Sequence, residues 1–231
     1  MSLAYKISGW NRRRKWQLFM DNFQITPETS ILDAGYSEQE YSDTDNFLEK
    51  HYPYQDKITA LTLDVPEELL HSRKDEGFQV SEAEILSKRK QSSARYPQLN
   101  VVSYDGKSFP FPDRTFDICW SNAVVEHVGN REEQIFFLKE INRVSKRSFI
   151  TTPNKYFPIE VHTRTPLLHF LPKKMFDRYL LFAGKEWASG DYMSLLSLKE
   201  VRKLLKAAGI DRYQIIKNRI LTSSLDFVIM F

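Results

Sequence analysis

The chain has 231 residues, of which 42% are hydrophobic and 13% aromatic. This length and composition fit one α/β domain with a sizeable core and exclude a disordered chain. A formal net charge of +3 is too small to indicate a nucleic-acid partner by itself. The single cysteine, Cys119, excludes an internal disulfide. Because neither a secretory signal pattern nor an apolar run of about 20 residues is present, we expect a cytoplasmic protein without a transmembrane segment.

An amphipathic helix is predicted over residues 4–23, before the first strand. Its apolar positions are Trp16, Phe19, Met20 and Phe23. The basic run at 11–15 is of a kind that most often forms a solvated helix face, although it could also contact phosphate or an anionic surface. We assign residues 1–25 to an N-terminal helical extension.

Three short apolar segments predict the first three strands. They cover residues 30–34, 57–63 and 99–104. A helix is expected at 43–51, between the first two strands. Residues 66–96 are charged and poor in apolar periodicity, and we expect one or two surface helices there, broken near Gly77.

Each of these strands delivers residues suited to ligand binding at its carboxyl end. After the first strand, Asp33 and Gly35 begin a tight turn, where glycine lets the backbone approach a ligand closely. After the second, Asp64 could accept hydrogen bonds from both hydroxyls of a ribose, or act as a turn residue or helix N-cap before a proline. After the third, Asp105 and Gly106 are also a strong turn dipeptide in their own right.

The stretch 108–130 reads SFPFPDRTFDICWSNAVVEHVGN and organises the chain. Its prolines exclude a helix at the start, and residues 116–120 form the apolar run of a buried central strand. Polar residues end this run, and AVVEHV then begins a helical turn. Because ligands of open α/β sheets bind beyond the carboxyl ends of strands, Asn122, Glu126 and His127 are well placed for chemistry.

The part of the chain that follows is predicted to be a helix, a strand, a long loop and a second helix. The first helix covers 131–144, with apolar positions at Ile135, Phe136, Leu138, Ile141 and Val144. A strand is expected at 147–152. Three prolines in 156–172 are expected to exclude regular structure there, and a loop of this length is often functional. The amphipathic helix at 173–184 could act as a lid, lie on a membrane surface or form a dimer contact.

The last elements are a capped helix and two strands. Ser197 is the predicted N-cap, Glu200 stands in the capping-box position, and Gly209 is the expected stop. The final strands are predicted at 213–220 and 225–231.

The run FPFPDRTFDICWSNAVVEHV resembles the central segment of class I S-adenosylmethionine-dependent methyltransferases. It is most similar to the small-molecule group, whose segment reads roughly LPF-x-D-x-x-FD-x-V followed by EH. The resemblance implies a Rossmann-like α/β fold, with a seven-stranded, mostly parallel sheet, an antiparallel last strand and helices on both faces. It covers residues 26–231 as a single domain, with an insertion at about 66–96 and a cap or acceptor loop at about 154–192.

The same resemblance implies S-adenosylmethionine as cofactor and S-adenosylhomocysteine as product. In the family, the loop after the first strand reads D-x-G-x-G-x-G, and here Ser37 and Gln39 stand in place of the second and third glycines. An acid after the second strand holds the ribose, and an acid after the third meets the adenine amine. The residues that this implies as cofactor-binding are Asp33, Gly35, Tyr36, Ser37, Asp64, Asp105, Gly106 and Asn122.

The implied reaction is methyl transfer (EC 2.1.1.-) from the sulfonium to a small-molecule or glycan-like acceptor at a hydroxyl group. A hydroxyl acceptor is helped by a general base, and histidine has a suitable pKa. His127 is the first candidate and His162 the second. The structural alternatives are a helix-surface or supporting role for His127 and a backbone-bonded loop histidine for His162.

Two other partners are disfavoured by the residues after the fourth strand. Some relatives bind a divalent ion through E-x-x-E-H plus distant ligands, but Ala123 occupies the first of those positions. Glu126 and His127 alone do not make a site, so no metal is expected. Nucleic-acid amino methyltransferases carry Asn or Asp followed by Pro-Pro-aromatic here, and the SNAVV run of this chain counts against that substrate class.

Two alternatives from other classes of protein remain. A dehydrogenase would need G-x-G-x-x-G after its first strand, which DAGYSEQEYS does not supply. A non-catalytic, methyltransferase-like binding protein with a degenerate cofactor loop is favoured by Gln39. The joint presence of Asp33, Gly35, Asp64 and Asp105 counts against it, because a pocket without cofactor needs none of them.

Overall fold

A computed structural model of the chain describes residues 3–37, 40, 44–63, 95–160, 162–185, 188–190 and 194–231. These residues fall into two compact units, one up to Ile118 and one from Cys119. No helix in these ranges is long and apolar enough to cross a membrane. Nearly all of the predicted insertion at 66–96 lies outside the described residues, so its helices stay a prediction, as do the domain bounds.

Seven strands form one mostly parallel sheet in the order β3-β2-β1-β4-β5-β9-β8. They are β1 (Ile31–Asp33), β2 (Ile58–Leu63), β3 (Asn100–Tyr104), β4 (Phe116–Asn122), β5 (Ser145–Pro153), β8 (Gln214–Ile220) and β9 (Ser223–Met230). The strand β2 pairs in parallel with both β1 and β3. The last strand, β9, is inserted antiparallel between β5 and β8. This confirms the predicted sheet and its antiparallel last strand.

Five α-helices are described alongside the sheet. They are α1 (Leu3–Asn22), α2 (Phe47–His51), α3 (Arg131–Val144), α4 (Lys173–Phe182) and α5 (Leu198–Ala207). All five lie within helices predicted from the sequence or within one residue of them. Residues 41–43 are outside the described ranges, so the start of the helix predicted at 43–51 is seen only from Phe47.

In the first unit, α1 buries a narrower face than its apolar residues suggest. Lys15, Phe19 and Phe23, the last just beyond the helix, are buried and spaced by four residues. The rings of Phe19 and Phe23 stack with centroids 5.0 Å apart. Met20 is 37% exposed, because it lies about 100° around the helix from Phe19. The prediction that Met20 belongs to the buried face was therefore wrong.

The start of β1 is tied to the start of β4 by Ser30 and Asp117. The Ser30 amide and hydroxyl both donate to Asp117 Oδ2 at 2.9 Å. The amide of Ile118 donates to the Ser30 carbonyl at 3.1 Å. Phe116 and Asp117 are the FD pair of the family-like motif, and the Asp117 carboxyl thus fixes the alignment of β1 with β4.

In the second unit, α3 has the bounds predicted from the sequence. Asn130 caps its start: its side chain accepts from the amide of Glu133, and the Glu133 carboxyl accepts from the Asn130 amide at 2.7 Å. The prediction that Phe136 lies on the buried apolar face of α3 was wrong. Phe136 is 41% exposed, and Phe137 is buried in its place, since 137, 138, 141 and 144 share one stripe.

Gly129→Ala is expected to lower the free energy of unfolding by about 1–3 kcal/mol. Gly129 has φ +100°, and an added Cβ would lie 2.2 Å from Glu133 Oε2, so the substitution strains the backbone and displaces the capping carboxyl. Gly184→Ala is the matched control, because Gly184 has φ +66° with open space around the added carbon. Urea denaturation of both variants separates the two contributions. Equal losses would show that the capping box contributes nothing.

The central strand and its neighbour are longer than predicted. The strand β4 continues through Ser121 and Asn122, and β5 starts at Ser145. Ser121 is fully buried, so its polarity did not end the strand. The strand ends instead where Ala123 takes a left-handed conformation, with φ +58°.

The proline-rich segment after β5 is more regular than predicted. Two short strands, β6 (Ile159–Glu160) and β7 (Thr165–Pro166), form an antiparallel pair. Proline is tolerated there because an edge strand does not need every amide as a donor. Glu160 Oε2 accepts from both the amide and the hydroxyl of Thr163 at 2.5 Å, which holds the connecting turn.

The helix α4 is amphipathic, as predicted, and presents apolar side chains to solvent. Met175, Leu181 and Phe182 are exposed, and Phe182 is 92% exposed. The basic side chains of Lys174 and Arg178 are exposed as well. Its role as a lid, a peripheral membrane contact or a dimer contact stays a prediction.

The C-terminal helix confirms its predicted signals. Ser197 and Glu200 form a complete capping box. Gly209 follows the helix with φ +76°, the left-handed conformation that ends many helices.

Candidate functional site

The loop after β1 lies in the first unit and carries four predicted cofactor-binding residues. Asp33 ends the strand and is buried, while Gly35 and Ser37 are exposed. The ring of Tyr36 is buried in a cluster with Tyr96. A ligand at this loop would therefore meet the backbone, Gly35 and Ser37, and not the Tyr36 ring.

Polar side chains hold this loop where the family pattern has a glycine. The Ser37 amide donates to Asn46 Oδ1 at 3.2 Å, and Asn46 Nδ2 donates to the Ser37 carbonyl at 2.8 Å. Asn46 Nδ2 also lies 3.1 Å from Glu40 Oε1. Asn46 itself has a left-handed backbone, with φ +46°. Gln39, the other departure from the pattern, lies outside the described residues.

Glu40 connects this loop to residues far along the chain. Its carboxyl accepts from the Tyr96 hydroxyl and forms ion pairs with Arg95 and Lys50, the latter at 3.1 Å. Although burial alone raises the pKa of Glu40, these partners hold it below the ordinary value. Sequence reasoning missed Glu40, because no local motif marks its contact with Arg95, which is 55 positions away. It also missed Asn46, whose contact with Ser37 spans nine positions and belongs to no motif of the sequence analysis.

Asp33 shares the interior with a second carboxyl, that of Glu49. Both side chains are buried, and neither oxygen of Glu49 has a hydrogen-bond partner within the described ranges. Burial raises the pKa of Asp33 well above 3.8, and the charge of Glu49 raises it further, while Arg12 lowers it in part. Burial likewise raises the pKa of Glu49. The carboxyls of Asp33 and Glu49 are therefore harder to ionise than carboxyls in water.

The turn after β3 has the form that its sequence predicts. Asp105 Oδ1 accepts from the Lys107 amide at 3.0 Å, and Gly106 has φ +80°. An added Cβ on Gly106 would lie 3.2 Å from Leu63 Cδ1, so the glycine allows this close approach. Asp105 and Gly106 are exposed and accessible to a ligand. Asp64 lies outside the described residues, and its ribose-binding role stays a prediction.

In the second unit, Asn122 is fixed at the end of β4. Its Oδ1 accepts from the Thr151 hydroxyl at 2.8 Å. The amide of Ala123 donates to the Thr151 carbonyl at 2.9 Å, which turns the chain out of the sheet. A ligand contact of Asn122 would therefore use its amide N–H groups.

Glu126, His127 and His162 form a cluster beyond the end of β4. The side chain of Glu126 is fully buried, and its Oε2 accepts from the Thr152 hydroxyl at 3.0 Å. Its Oε1 lies 3.7 Å from His162 Nε2 and 4.0 Å from His127 Nε2. The two imidazole rings are 4.7 Å apart at 85°. The structure thus brings together the two histidines that the sequence proposed separately.

The backbone around Glu126 is held by two further contacts. Residues 125–127 form a 3₁₀ turn, as the sequence predicted. The buried Gln134 side chain donates to the Val125 carbonyl at 3.0 Å, and the Ser194 amide donates to the Glu126 carbonyl at 2.7 Å. Sequence reasoning missed Gln134 and Thr152, because both look like ordinary polar residues of a helix and a strand.

Known proteins are similar to this chain at the level of fold and domain family. Residues 71–148 match the family model described as a methyltransferase domain. A methyltransferase from Methanosarcina mazei that depends on S-adenosylmethionine is 16% identical, with a TM-score of 0.52 over 92% of this chain and 95% of that one. A similar enzyme from Aquifex aeolicus is 16% identical, with a TM-score of 0.50 over 100% and 98%.

A third similar structure, the DszA carbon methyltransferase, is 17% identical with a TM-score of 0.54 over 96% of this chain and 53% of that one. No curated protein matches the sequence. At these identities the likeness to solved structures concerns the fold. Together with the sheet order, it shows that the chain has the fold of S-adenosylmethionine-dependent methyltransferases, and the family model matches about a third of the chain.

Proposed function

We propose that the chain is an enzyme that transfers the methyl group of S-adenosylmethionine to a hydroxyl of a small-molecule or glycan-like acceptor. The observation that carries this proposal is the buried carboxyl of Glu126 beside the imidazoles of His127 and His162. One oxygen of this carboxyl accepts from the Thr152 hydroxyl, whereas the other faces the two imidazoles and has no hydrogen-bond partner among the described residues. The carboxyl and the two imidazoles together suit the removal of a proton from an acceptor.

The reaction needs little from the protein besides positioning and a base. As the acceptor oxygen bonds to the methyl carbon, the bond from that carbon to sulfur breaks and S-adenosylhomocysteine leaves. The hydroxyl proton passes to an imidazole, with His127 as the first candidate and His162 as the second. The adjacent carboxyl of Glu126 orients the imidazole and stabilises the cation that forms. The main alternative is that the acceptor atom is a carbon, as the name of the DszA carbon methyltransferase states for that protein.

On the cofactor side, we assign binding to the ends of the first strands. Gly35 and Ser37 supply an exposed loop, and Asp105 and Gly106 an exposed turn. Asp64 is assigned to the ribose hydroxyls from its place in the sequence. The hydrogen bonds of Asn46 support this assignment, because they hold the loop without the missing glycine.

Calorimetric titration with S-adenosylmethionine and S-adenosylhomocysteine tests the proposal. We expect micromolar binding that weakens by about tenfold or more in Asp64→Ala and in Asp105→Ala, because each loses hydrogen bonds to a charged group. Asp56→Ala is the control, since Asp56 is an exposed acid of the first unit that the proposal does not use. No binding by the folded chain would favour the non-catalytic, methyltransferase-like alternative.

An acceptor screen then distinguishes the reaction classes. Small hydroxylated compounds and glycans are incubated with cofactor labelled in the methyl group, and products are analysed by mass spectrometry and NMR. An O-methyl product is expected. A C-methyl product would keep the methyltransferase proposal and overturn its acceptor. A cytoplasmic location stays a prediction from the sequence.

A further inference from the structure

The Glu126 cluster has a geometry that an acid–base role alone does not require. Glu126 Oε1 lies 3.7 Å from His162 Nε2 and 4.0 Å from His127 Nε2, and one ligand atom of each of the three residues lies within 4.8 Å of the other two. Three groups that can each donate an electron pair thus converge on one point. A single imidazole with a carboxylate beside it would be enough for a general base.

The burial of Glu126 also indicates a ligand between these three side chains. Its side chain is fully buried, and Oε1 has no hydrogen-bond partner among the described residues. Leaving a buried polar atom unpaired costs free energy, and the cost is larger for a charged group. Since Oε1 faces both histidines, a ligand between the three side chains would remove this cost.

We propose that Glu126, His127 and His162 bind one divalent transition-metal cation of the Zn²⁺ or Mn²⁺ class. Two imidazole nitrogens and one carboxylate oxygen are a common ligand set for such ions, whereas Mg²⁺ and Ca²⁺ prefer oxygen alone. Ligand atoms of a tetrahedral zinc site lie about 3.3–3.5 Å apart, so the distances within the cluster have to shorten by at most about 1.5 Å. Three protein ligands leave one position open for a ligand of the ion.

A supporting contact orients the carboxyl as metal sites usually require. The Thr152 hydroxyl donates to Glu126 Oε2 at 3.0 Å, which leaves Oε1 directed at the histidines. Partners of this kind fix the ligand geometry and typically change metal affinity by about 10–100-fold when removed. The cluster therefore has both a ligand set and a support for it.

The sequence argued against a metal because only Glu126 and His127 were adjacent. That argument no longer applies, since β6 and the turn after it bring His162 to the same place. The catalytic role of the ion rests on the proposed function, whereas the binding of the ion does not. An acceptor hydroxyl on the open position would have a lowered pKa and would lose its proton to solvent, while the imidazoles act as ligands.

The test uses the untagged full chain, stripped with EDTA and dialysed. Zn²⁺, Mn²⁺ and Co²⁺ are titrated by calorimetry, and the bound metal is counted by mass spectrometry. We expect one equivalent per chain, a rise in Tm on binding, and visible Co²⁺ absorption bands typical of nitrogen and oxygen ligands. Mg²⁺ is expected to bind much more weakly.

Variants locate the ion. Glu126→Gln and His162→Gln are expected to abolish stoichiometric binding, and Thr152→Val, which keeps the side-chain volume, to weaken it by about tenfold. His169→Gln is the control, because His169 is a histidine of the same unit outside the cluster, and it is expected to bind as the natural chain does. Circular dichroism shows that each variant is folded.

The outcomes separate this inference from the proposed function. No binding of any of the three metals, or binding that survives Glu126→Gln and His162→Gln, would overturn the metal site. Stoichiometric binding by a chain that binds no S-adenosylmethionine would keep the metal site and remove the proposed function. Methyl transfer at full rate by the stripped chain would overturn the catalytic role of the ion and leave an imidazole as the base.

Discussion

Glu126→Gln is expected to leave the chain at least as stable as before while lowering kcat for methyl transfer by about 100-fold or more. Gln has nearly the same shape and can still accept from Thr152 through its amide oxygen. It removes the acidic group that faces the two imidazoles. A structural residue would show the opposite pattern, with stability lost and activity kept.

Stability is measured by urea denaturation, and kcat with the acceptor found by the screen. Glu140→Gln is the matched control, because Glu140 is also buried and forms a two-point ion pair with Arg143 at 2.7 and 2.8 Å. That control is expected to lose about 1 kcal/mol of stability and to keep its kcat. If Glu126→Gln retains full activity, Glu126 has no role in the reaction.

Asp33→Asn is expected to raise the free energy of unfolding at pH 8 and to flatten its dependence on pH. Burial raises the pKa of Asp33 above its ordinary value of 3.8, and the charge of Glu49 adds to this. Between the unfolded and the folded pKa, the folded chain binds more protons than the unfolded chain. Stability is therefore highest below the unfolded pKa and falls as the pH rises, by up to about 1.4 kcal/mol per pH unit for each such proton.

Thermal and urea unfolding between pH 4 and pH 8 measure this effect. Asparagine removes the titration of Asp33, while burial still raises the pKa of Glu49. The same variant is expected to weaken S-adenosylmethionine binding by about tenfold or more, because it alters the end of β1 where the cofactor loop begins. Asp56→Asn, at an exposed acid, serves as the control for both measurements. An unchanged pH dependence in Asp33→Asn would show that this carboxyl ionises freely in the folded chain.

Local patterns predicted the elements of this fold well. The capping box of Ser197 and Glu200 acts within four residues, so it identified the start of a helix from the sequence. Details that depend on packing were less predictable. Periodicity did not decide between Phe136 and Phe137, and the three prolines of 156–172 did not prevent the β6 and β7 pair.

The sequence by itself determined the fold class and the resemblance to methyltransferases, through the ordered motif from Phe109 to Val128. It determined these because the motif combines turn, strand and strand-end residues at neighbouring positions, where local preferences act directly. Only the tertiary structure decided that His162 joins Glu126 and His127, and that Glu49 lies beside Asp33. Those contacts join residues from different elements, and their distances depend on how the intervening chain folds and packs, which no local preference encodes.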